Sequence, residues 1–242
     1  MASATGIPDQ NPSTIGRGED EPLLGRAGDA SQQEGKPLYY NPFLGTAVLA
    51  QAGIWILLGI VWGGIFSHDL ILFSAHPLLN STGILFSTQA ILLLQPTHTS
   101  SQKRSGTYAH LISNDLAILL LIAGLIVIEY NKFSHGGAHF ESPHAVFGLM
   151  TYILLALQAT VGVTMYFVPS LYGGIDNAKK AWKYHRMSGY LTLLFMLMTV
   201  AAATQTTYNI AVLHINLWAV LVAAVLTWMG VLARVKKQKL GL

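Results

Sequence analysis

The chain has 242 residues, of which 52% are hydrophobic and only 10% are charged, and it contains no cysteine. Soluble domains carry about 25% charged residues, so this composition, with a mean hydropathy of +0.47, indicates a membrane protein. It also argues against a nucleic-acid-binding protein, despite a net charge of +3. Without cysteine, disulfides, thiolate metal sites and c-type haem attachment are excluded. The nine histidines are then the side chains best suited to bind a transition metal.

Residues 1–42 are rich in Gly, Pro, Ser, Gln and acidic residues and have no periodic apolar face, which is typical of a disordered tail. Such a polar run before the first apolar segment also predicts that there is no secretory signal. Within it, Glu19 precedes the pair Leu23-Leu24 by four residues. This pattern resembles sorting signals for endosomal, lysosomal or vacuolar membranes. Chance occurrence, with another endomembrane or the plasma membrane as location, is the alternative.

Six apolar segments follow, and each is long enough to cross the hydrocarbon core of a bilayer, which takes about 20 residues. They cover residues 44–66, 71–95, 107–130, 142–168, 184–203 and 208–233. Because the connections are short, neighbouring helices are expected to be antiparallel. The sequence therefore predicts an all-α membrane protein with a six-helix transmembrane bundle over residues 43–234.

Basic residues are concentrated on one side of this topology. Eleven Lys and Arg residues lie near the membrane on the side that holds both termini and the 96–106 and 169–183 loops, whereas the other side has only Lys132. Cytosolic loops of membrane proteins carry an excess of Lys and Arg. We therefore predict that both termini are cytosolic, including a short basic tail over residues 235–242.

Four histidines, His76, His110, His144 and His185, each lie near the start of a different central segment. Because successive segments reverse direction, His76 and His144 are expected toward the non-cytosolic face, and the other two toward the cytosolic face. Two pairs at two depths suit two bis-histidine haems b inside the central four helices, each iron taking one imidazole from each of two helices. The alternative for any one of them is a histidine that only pairs with a neighbouring polar group.

The residues one helical turn after these histidines are small or short. Gly148 and Gly189 would leave clearance for a flat macrocycle, or would permit close helix packing. Asn80 and Asn114 would orient an imidazole or a haem propionate, or would hydrogen-bond between helices. Before His144, Ser142 followed by proline suits a helix N-cap.

Several motifs around these histidines resemble the cytochrome b561 family, which are transmembrane electron-transfer proteins with six helices and two haems b. They are Phe73-Ser74-Ala75-His76-Pro77, His110, Pro143-His144 followed by Gly148, and Ala178-Lys179-Lys180-Ala181-Trp182-Lys183-Tyr184-His185 followed by Ser188-Gly189-Tyr190. The resemblance covers residues 44–234 and is closest to the small single-domain branch. Where better-known members have an arginine at the cytosolic end of segment two, this chain has Gln95.

The resemblance implies a transmembrane ascorbate-dependent oxidoreductase or ferric reductase. Its electron donor would be ascorbate in the cytosol, and its acceptor monodehydroascorbate or a ferric chelate on the far side. Besides these molecules the expected partner is the lipid bilayer, and a homodimer stays open. Two other functions remain as alternatives: a haem-b membrane anchor that reduces a quinone or a partner protein, and a non-redox transporter or structural membrane protein.

Candidate substrate residues lie next to both histidine pairs. An anionic donor needs cationic hydrogen-bond donors, which precede the cytosolic histidines at Lys103, Arg104, Lys179, Lys180 and Lys183, with Tyr184 adjoining. On the other face, His135 and His139 could bind a ferric ion, and Asp115, five residues after His110, could release a proton. The alternatives are cations that only set topology, a solvated loop and a hydrated carboxylate.

Overall fold

The computed structural model describes residues 30–236, and nearly all of them are helical. The six long helices are α1 (Ala47–Phe66), α2 (Ala75–Leu94), α3 (Ser100–His135), α4 (Pro143–Phe167), α5 (Ile175–Ala203) and α6 (Leu217–Leu232). Short 3-10 helices cover Leu38–Phe43, Leu72–Ser74 and Pro169–Tyr172, and a π-helix covers Asn209–Leu213. The dileucine pair and most of the basic tail lie outside the described residues.

Local sequence explains where the central helices begin. The Ser142 side chain accepts a hydrogen bond from the Ala145 amide, with Pro143 in the first turn of α4, so the predicted N-cap is confirmed. Thr99 and Gln102 form a reciprocal capping box at the start of α3. α3 ends where Gly136 takes a left-handed conformation with a φ of 61°, which glycine adopts without steric penalty.

The helices pack in antiparallel pairs, α1 with α6, α2 with α3 and α4 with α5. Between α1 and α6 the backbones almost touch. A Cβ atom at Gly53 would lie 2.4 Å from the Thr227 nitrogen, and one at Gly230 would lie 2.3 Å from the Ala50 nitrogen. Small residues let membrane helices approach this closely. The surfaces of α3 and α4 expose large apolar side chains such as Leu119 and Ile153, as expected of an integral membrane protein.

Among residues 30–236, five stretches are long and apolar enough to cross a membrane: α1, α2 with the 3-10 turn before it, α3, α4 and α5. The segment predicted as one helix over residues 208–233 is broken. The π-helix ends at His214, which has a φ of 52°, and α6 has 16 residues, about 24 Å. The cause is Asn209, whose side chain hydrogen-bonds Thr204 O and both backbone groups of Ile215. A side chain that satisfies backbone groups in this way competes with the helix.

Residues 30–42, which composition assigned to the disordered tail, pack against one end of the bundle. The Gln32 amide donates to Pro96 O at 3.0 Å, the Asn41 side chain donates to Leu93 O at 2.7 Å, and Arg234 donates to Asn41 O at 3.1 Å. These bonds join the ends of α2 and α6. We call this end, where α2, α4 and α6 finish and α3 and α5 begin, the basic end, because nearly all the lysines and arginines among residues 30–236 lie near it.

Candidate functional site

His76 and His144 face each other at the end of the bundle opposite the basic end. His76 is the second residue of α2 and His144 the second of α4. Their ring centres are 6.1 Å apart and the ring planes are perpendicular at 90°. Two imidazoles that bind one metal ion from opposite sides, each at about 2 Å, have ring centres roughly 6 Å apart. A haem iron could therefore be held between the two rings of this pair.

Three of the four histidines have Nδ1 next to a backbone carbonyl of a neighbouring helix. His76 Nδ1 lies 2.9 Å from Gly124 O, and His144 Nδ1 lies 2.9 Å from Thr199 O. At the other pair, His110 Nδ1 lies 3.1 Å from Ala90 O. When Nδ1–H donates to a carbonyl, the lone pair of the ring is left on Nε2, the nitrogen that can bind a metal. The fold thus prepares His76 and His144 for ligation through Nε2, whereas at His110 the Asn114 amide lies 3.2 Å from Nε2 itself.

The fourth histidine, His185, is held by a side chain instead. One end of the Gln158 amide lies 2.9 Å from His185 Nδ1, the other end lies 3.0 Å from the Gly189 nitrogen, and the amide also contacts the Ser188 hydroxyl. The hydrogen-bond partners place the amide NH₂ toward the ring, where it donates to His185 Nδ1 and to His185 O, while the amide oxygen accepts from the Gly189 N–H and the Ser188 hydroxyl. Gln158 is a site residue that the sequence reasoning missed.

The ring of His185 also lies against the backbone of α4. A Cβ atom at Gly162 would be 3.0 Å from its Cε1 atom, so Gly162, another missed residue, leaves the room for the ring. His185 lies in the vicinity of His110. Because Ala90, the partner of His110, follows His76 by fourteen residues in α2, the two histidine pairs are about 20 Å apart along the helix axis.

The small residues predicted to flank the imidazoles have different surroundings. A Cβ atom at Gly148 would meet Thr199 Cγ2 at 3.8 Å, and one at Gly189 would meet the Gln158 amide at 3.5 Å, which are ordinary contacts. Neighbouring protein atoms therefore leave room for a side chain at both positions. The asparagines contact the histidines of their own helices, Asn80 with His76 and Asn114 with the residue four before it.

The cationic residues predicted for the donor site all lie at the basic end. Lys103 and Arg104 are exposed near the start of α3. In α5, Lys179 pairs with Asp176 at 3.3 Å, Lys180 donates to Asn177 at 3.0 Å, and Lys183 lies 5.0 Å from the centre of the Tyr184 ring. The structure thus brings the basic residues of α3 and those of α5 to one end of the bundle. The three lysines of α5 contact residues of their own helix.

At the opposite end, the two histidines predicted for the acceptor site have different partners. His135 is exposed, and its Nδ1 atom lies 2.8 Å from Asn131 O. His139 pairs with Glu129 at 3.4 Å. Within residues 30–236, no group of three or more His, Cys, Asp or Glu side chains is arranged to hold a metal ion. Asp115 is exposed on the surface of α3, and its role stays a prediction.

A comparison with models of known protein families identifies the family of this chain. The family model for eukaryotic cytochrome b561 matches residues 75–211, more than half of the chain and all four histidines. The chain belongs to the cytochrome b561 family. The resemblance seen in the motifs is therefore confirmed, and membership implies haem b as the cofactor of this cytochrome b561, for which the histidine pairs provide suitable ligands.

Named relatives of this cytochrome b561 are transmembrane reductases and electron transporters. It is 28% identical to the transmembrane ascorbate-dependent reductase of Homo sapiens over 131 residues, 54% of this chain and 51% of the relative. For the reductase of Pongo abelii the identity is 29% over 143 residues, 58% and 56% of the two chains. For ascorbate-specific transmembrane electron transporter 2 of Zea mays it is 29% over 111 residues, 46% and 45%. The alignments thus span about half the length of these relatives.

Proposed function

We propose that this cytochrome b561 passes electrons across a membrane from ascorbate at the basic end to an acceptor at the opposite end. The observation that carries the proposal is the placement of two imidazole pairs at two depths, with the rings of His76 and His144 6.1 Å apart. Each pair would hold one haem b, which supplies reversible one-electron chemistry. The names of the relatives support ascorbate as the donor.

We further propose six membrane spans, with the basic end in the cytosol. The sixth span would consist of α6 together with the π-helix before it, since α6 alone is shorter than the hydrocarbon core of about 30 Å. The concentration of lysines and arginines at the basic end supports this orientation. Moving one electron out of a compartment that is negative inside then gains about 2.3 kcal/mol per 100 mV of membrane potential.

The chain's own residues would serve both substrates. Ascorbate loses one electron and one proton to become monodehydroascorbate, and Lys103, Arg104 and Lys183 would attract the anion to the basic end. Asp115, on the surface of α3, would accept the proton. At the opposite end the electron would reduce monodehydroascorbate, which then takes up a proton, or a ferric chelate, which becomes ferrous; His139 and Glu129 would contact a ferric chelate.

The first experiment is a visible spectrum of the purified, reduced protein. We expect the absorption bands of a b-type cytochrome and two haems per chain. His144→Ala should remove one haem and leave the other. His68→Ala should keep both, because it alters an exposed histidine just after α1 that contacts Gly64 O of that helix through its Nδ1 atom. A colourless preparation, or two haems in the His144→Ala variant, would refute the assignment and favour a non-redox membrane protein.

The acceptor is tested in sealed vesicles that contain ascorbate and carry the protein in their membrane. Oxidation of the haems by an external ferric chelate would support a ferric reductase, and oxidation by monodehydroascorbate alone would support ascorbate regeneration. If neither oxidises the haems but a quinone does, the protein is instead a haem-b anchor in a quinone pathway. Vesicles with the Glu129→Gln variant measure the contribution of the carboxylate beside His139.

A further inference from the structure

The spacing of a histidine followed four residues later by an asparagine occurs at both ends of the bundle, but the structure uses it differently at each end. Asn80 Nδ2 donates to His76 O at 2.8 Å and lies 3.2 Å from Nδ1 of the same ring. Asn114 Nδ2 donates to His110 O at 3.0 Å and lies 3.2 Å from Nε2. Asn80 therefore lies beside Nδ1, the ring nitrogen that would not bind iron. Asn114 lies beside Nε2, the ring nitrogen that would bind it.

Tyr152 contacts the oxygen of the Asn80 amide. The Tyr152 hydroxyl lies 2.9 Å from Asn80 Oδ1 and 2.7 Å from Leu121 O, and it has one hydrogen to donate to either of them. Because Asn80 Nδ2 donates to His76 O, the amide oxygen faces Tyr152 and the amide NH₂ lies beside the imidazole. Gly124 completes the arrangement, since a Cβ atom there would lie 2.3 Å from Asn80 Nδ2. The group joins α2, α3 and α4.

Two dipoles with opposite effects therefore meet at Nδ1 of His76. The Gly124 carbonyl, at 2.9 Å, presents its negative end, makes the imidazole a stronger electron donor and stabilises ferric iron. The Asn80 NH₂ group presents its positive end at 3.2 Å, which weakens this donation and favours ferrous iron. Within a low-dielectric bundle such dipoles act strongly. The corresponding nitrogen of His110 lies near the Ala90 carbonyl, while its asparagine contacts the other ring nitrogen.

We propose that Asn80, oriented by Tyr152, is a positioning residue that raises the reduction potential of the haem held by His76 and His144. The inference rests on the proposed function. A higher potential at this end makes electron transfer from the basic end energetically favourable, so the pair sets the direction of flow. A hydrogen bond to a haem ligand, here from His76 Nδ1–H to Gly124 O, is one of the means by which a protein tunes haem potentials, and the Asn80 dipole opposes the effect of that bond.

The test is a redox titration of the full-length protein carrying both haems, followed by its visible and electron paramagnetic resonance spectra. Asn80→Leu removes the amide at similar volume, and Tyr152→Phe removes only the hydroxyl that orients it. We expect Asn80→Leu to lower one midpoint potential so that the ratio of reduced to oxidised haem at a fixed potential falls about tenfold, or about 59 mV for one electron. Tyr152→Phe should lower the same midpoint by less, and Asn114→Leu should leave it unchanged.

The outcomes separate this inference from the proposed function. An Asn80→Leu protein that binds two haems with both midpoints unchanged, or with one raised, would overturn the role of Asn80 while leaving the electron-transfer function intact. Absence of haem from the unaltered protein would overturn the function itself. If Asn80→Leu fails to fold, Tyr152→Phe decides, because the amide remains, and an unchanged midpoint in that variant refutes the inference.

Discussion

Replacing Gly162 by alanine tests whether His185 is a haem ligand in the position that the structure gives it. The added Cβ atom would lie 3.0 Å from His185 Cε1 and 3.5 Å from Nε2. Carbon atoms normally approach to about 3.5–4.0 Å, so the imidazole would have to move by about 0.5 Å. Its Nδ1 atom is held 2.9 Å from the Gln158 amide, which resists that movement.

The size of the effect follows from the cost of overpacking, about 1–3 kcal/mol in a closely packed site. At about 1.4 kcal/mol per factor of ten, haem at the basic end should be lost roughly 5 to 150 times faster than in the unaltered protein. The measurement is the rate of haem transfer from the purified protein to an excess of a haem-binding acceptor protein. Only one of the two haem phases should accelerate.

The matched control is Gly59→Ala in α1, where an added Cβ atom would have no neighbour within 4 Å. It makes the same change in a helix that carries none of the four histidines, so both haem phases should keep their rates. If the Gly162→Ala protein retains both haems with unaltered rates and spectra, the ring of His185 does not lie where the structure places it, and the reasoning fails.

Three further predictions concern packing, charge and donor binding. Gly53→Leu should separate α1 from α6 and lower the thermal unfolding temperature, because a Cβ atom would lie 2.4 Å from the Thr227 backbone nitrogen; Gly59→Leu should not. Arg234→Met should raise that temperature by several degrees. In the buried guanidinium, two nitrogen atoms, Nε and Nη1, have no hydrogen-bond partner. Burial lowers the pKa of Arg234 to about 10, a penalty of about 3 kcal/mol. Because the penalty is fully present below pH 10 and disappears only as the pH rises toward 12.5, the gain should be constant from pH 6 to 9; an exposed Lys180→Met control should show no gain. Lys183→Gln should raise the KM for anionic ascorbate several-fold and leave the KM for an uncharged reductant unchanged, and equal changes for both reductants would contradict a charge effect.

Hydropathy located the helices of this protein but not their ends. The apolar segment predicted over 107–130 lies within α3, which runs from Ser100 to His135, and the segment that begins at 184 lies within α5, which begins at Ile175. The additional helical turns at the starts of α3 and α5 are polar, so hydropathy does not reveal them. A capping box marks the start of α3. Hydropathy marks the part of a helix suited to lipid, whereas caps and backbone hydrogen bonds set where the helix begins and ends.

The four histidines stood out in the sequence because their spacing matches one helix plus one turn. Their supporting groups did not, for a physical reason. Gly124, Ala90 and Thr199 act through backbone carbonyls, which every residue possesses, so no side-chain pattern distinguishes them. Gln158 and Tyr152 act across helices, where the register between two packed surfaces decides which side chains meet. A single sequence does not reveal the register between two packed helices.

The two ends of the bundle consequently differ in how their ligands are held. At the end with His76 and His144, both rings are near backbone carbonyls, which a substitution changes only by moving a helix. At the basic end His185 depends on the side chain of Gln158 and on the space at Gly162. Side chains adjust more readily than helices. If each pair holds a haem, as we propose, binding of the proposed donor at the basic end would therefore alter the surroundings of His185 without disturbing His76 and His144, and the two haems would have different properties.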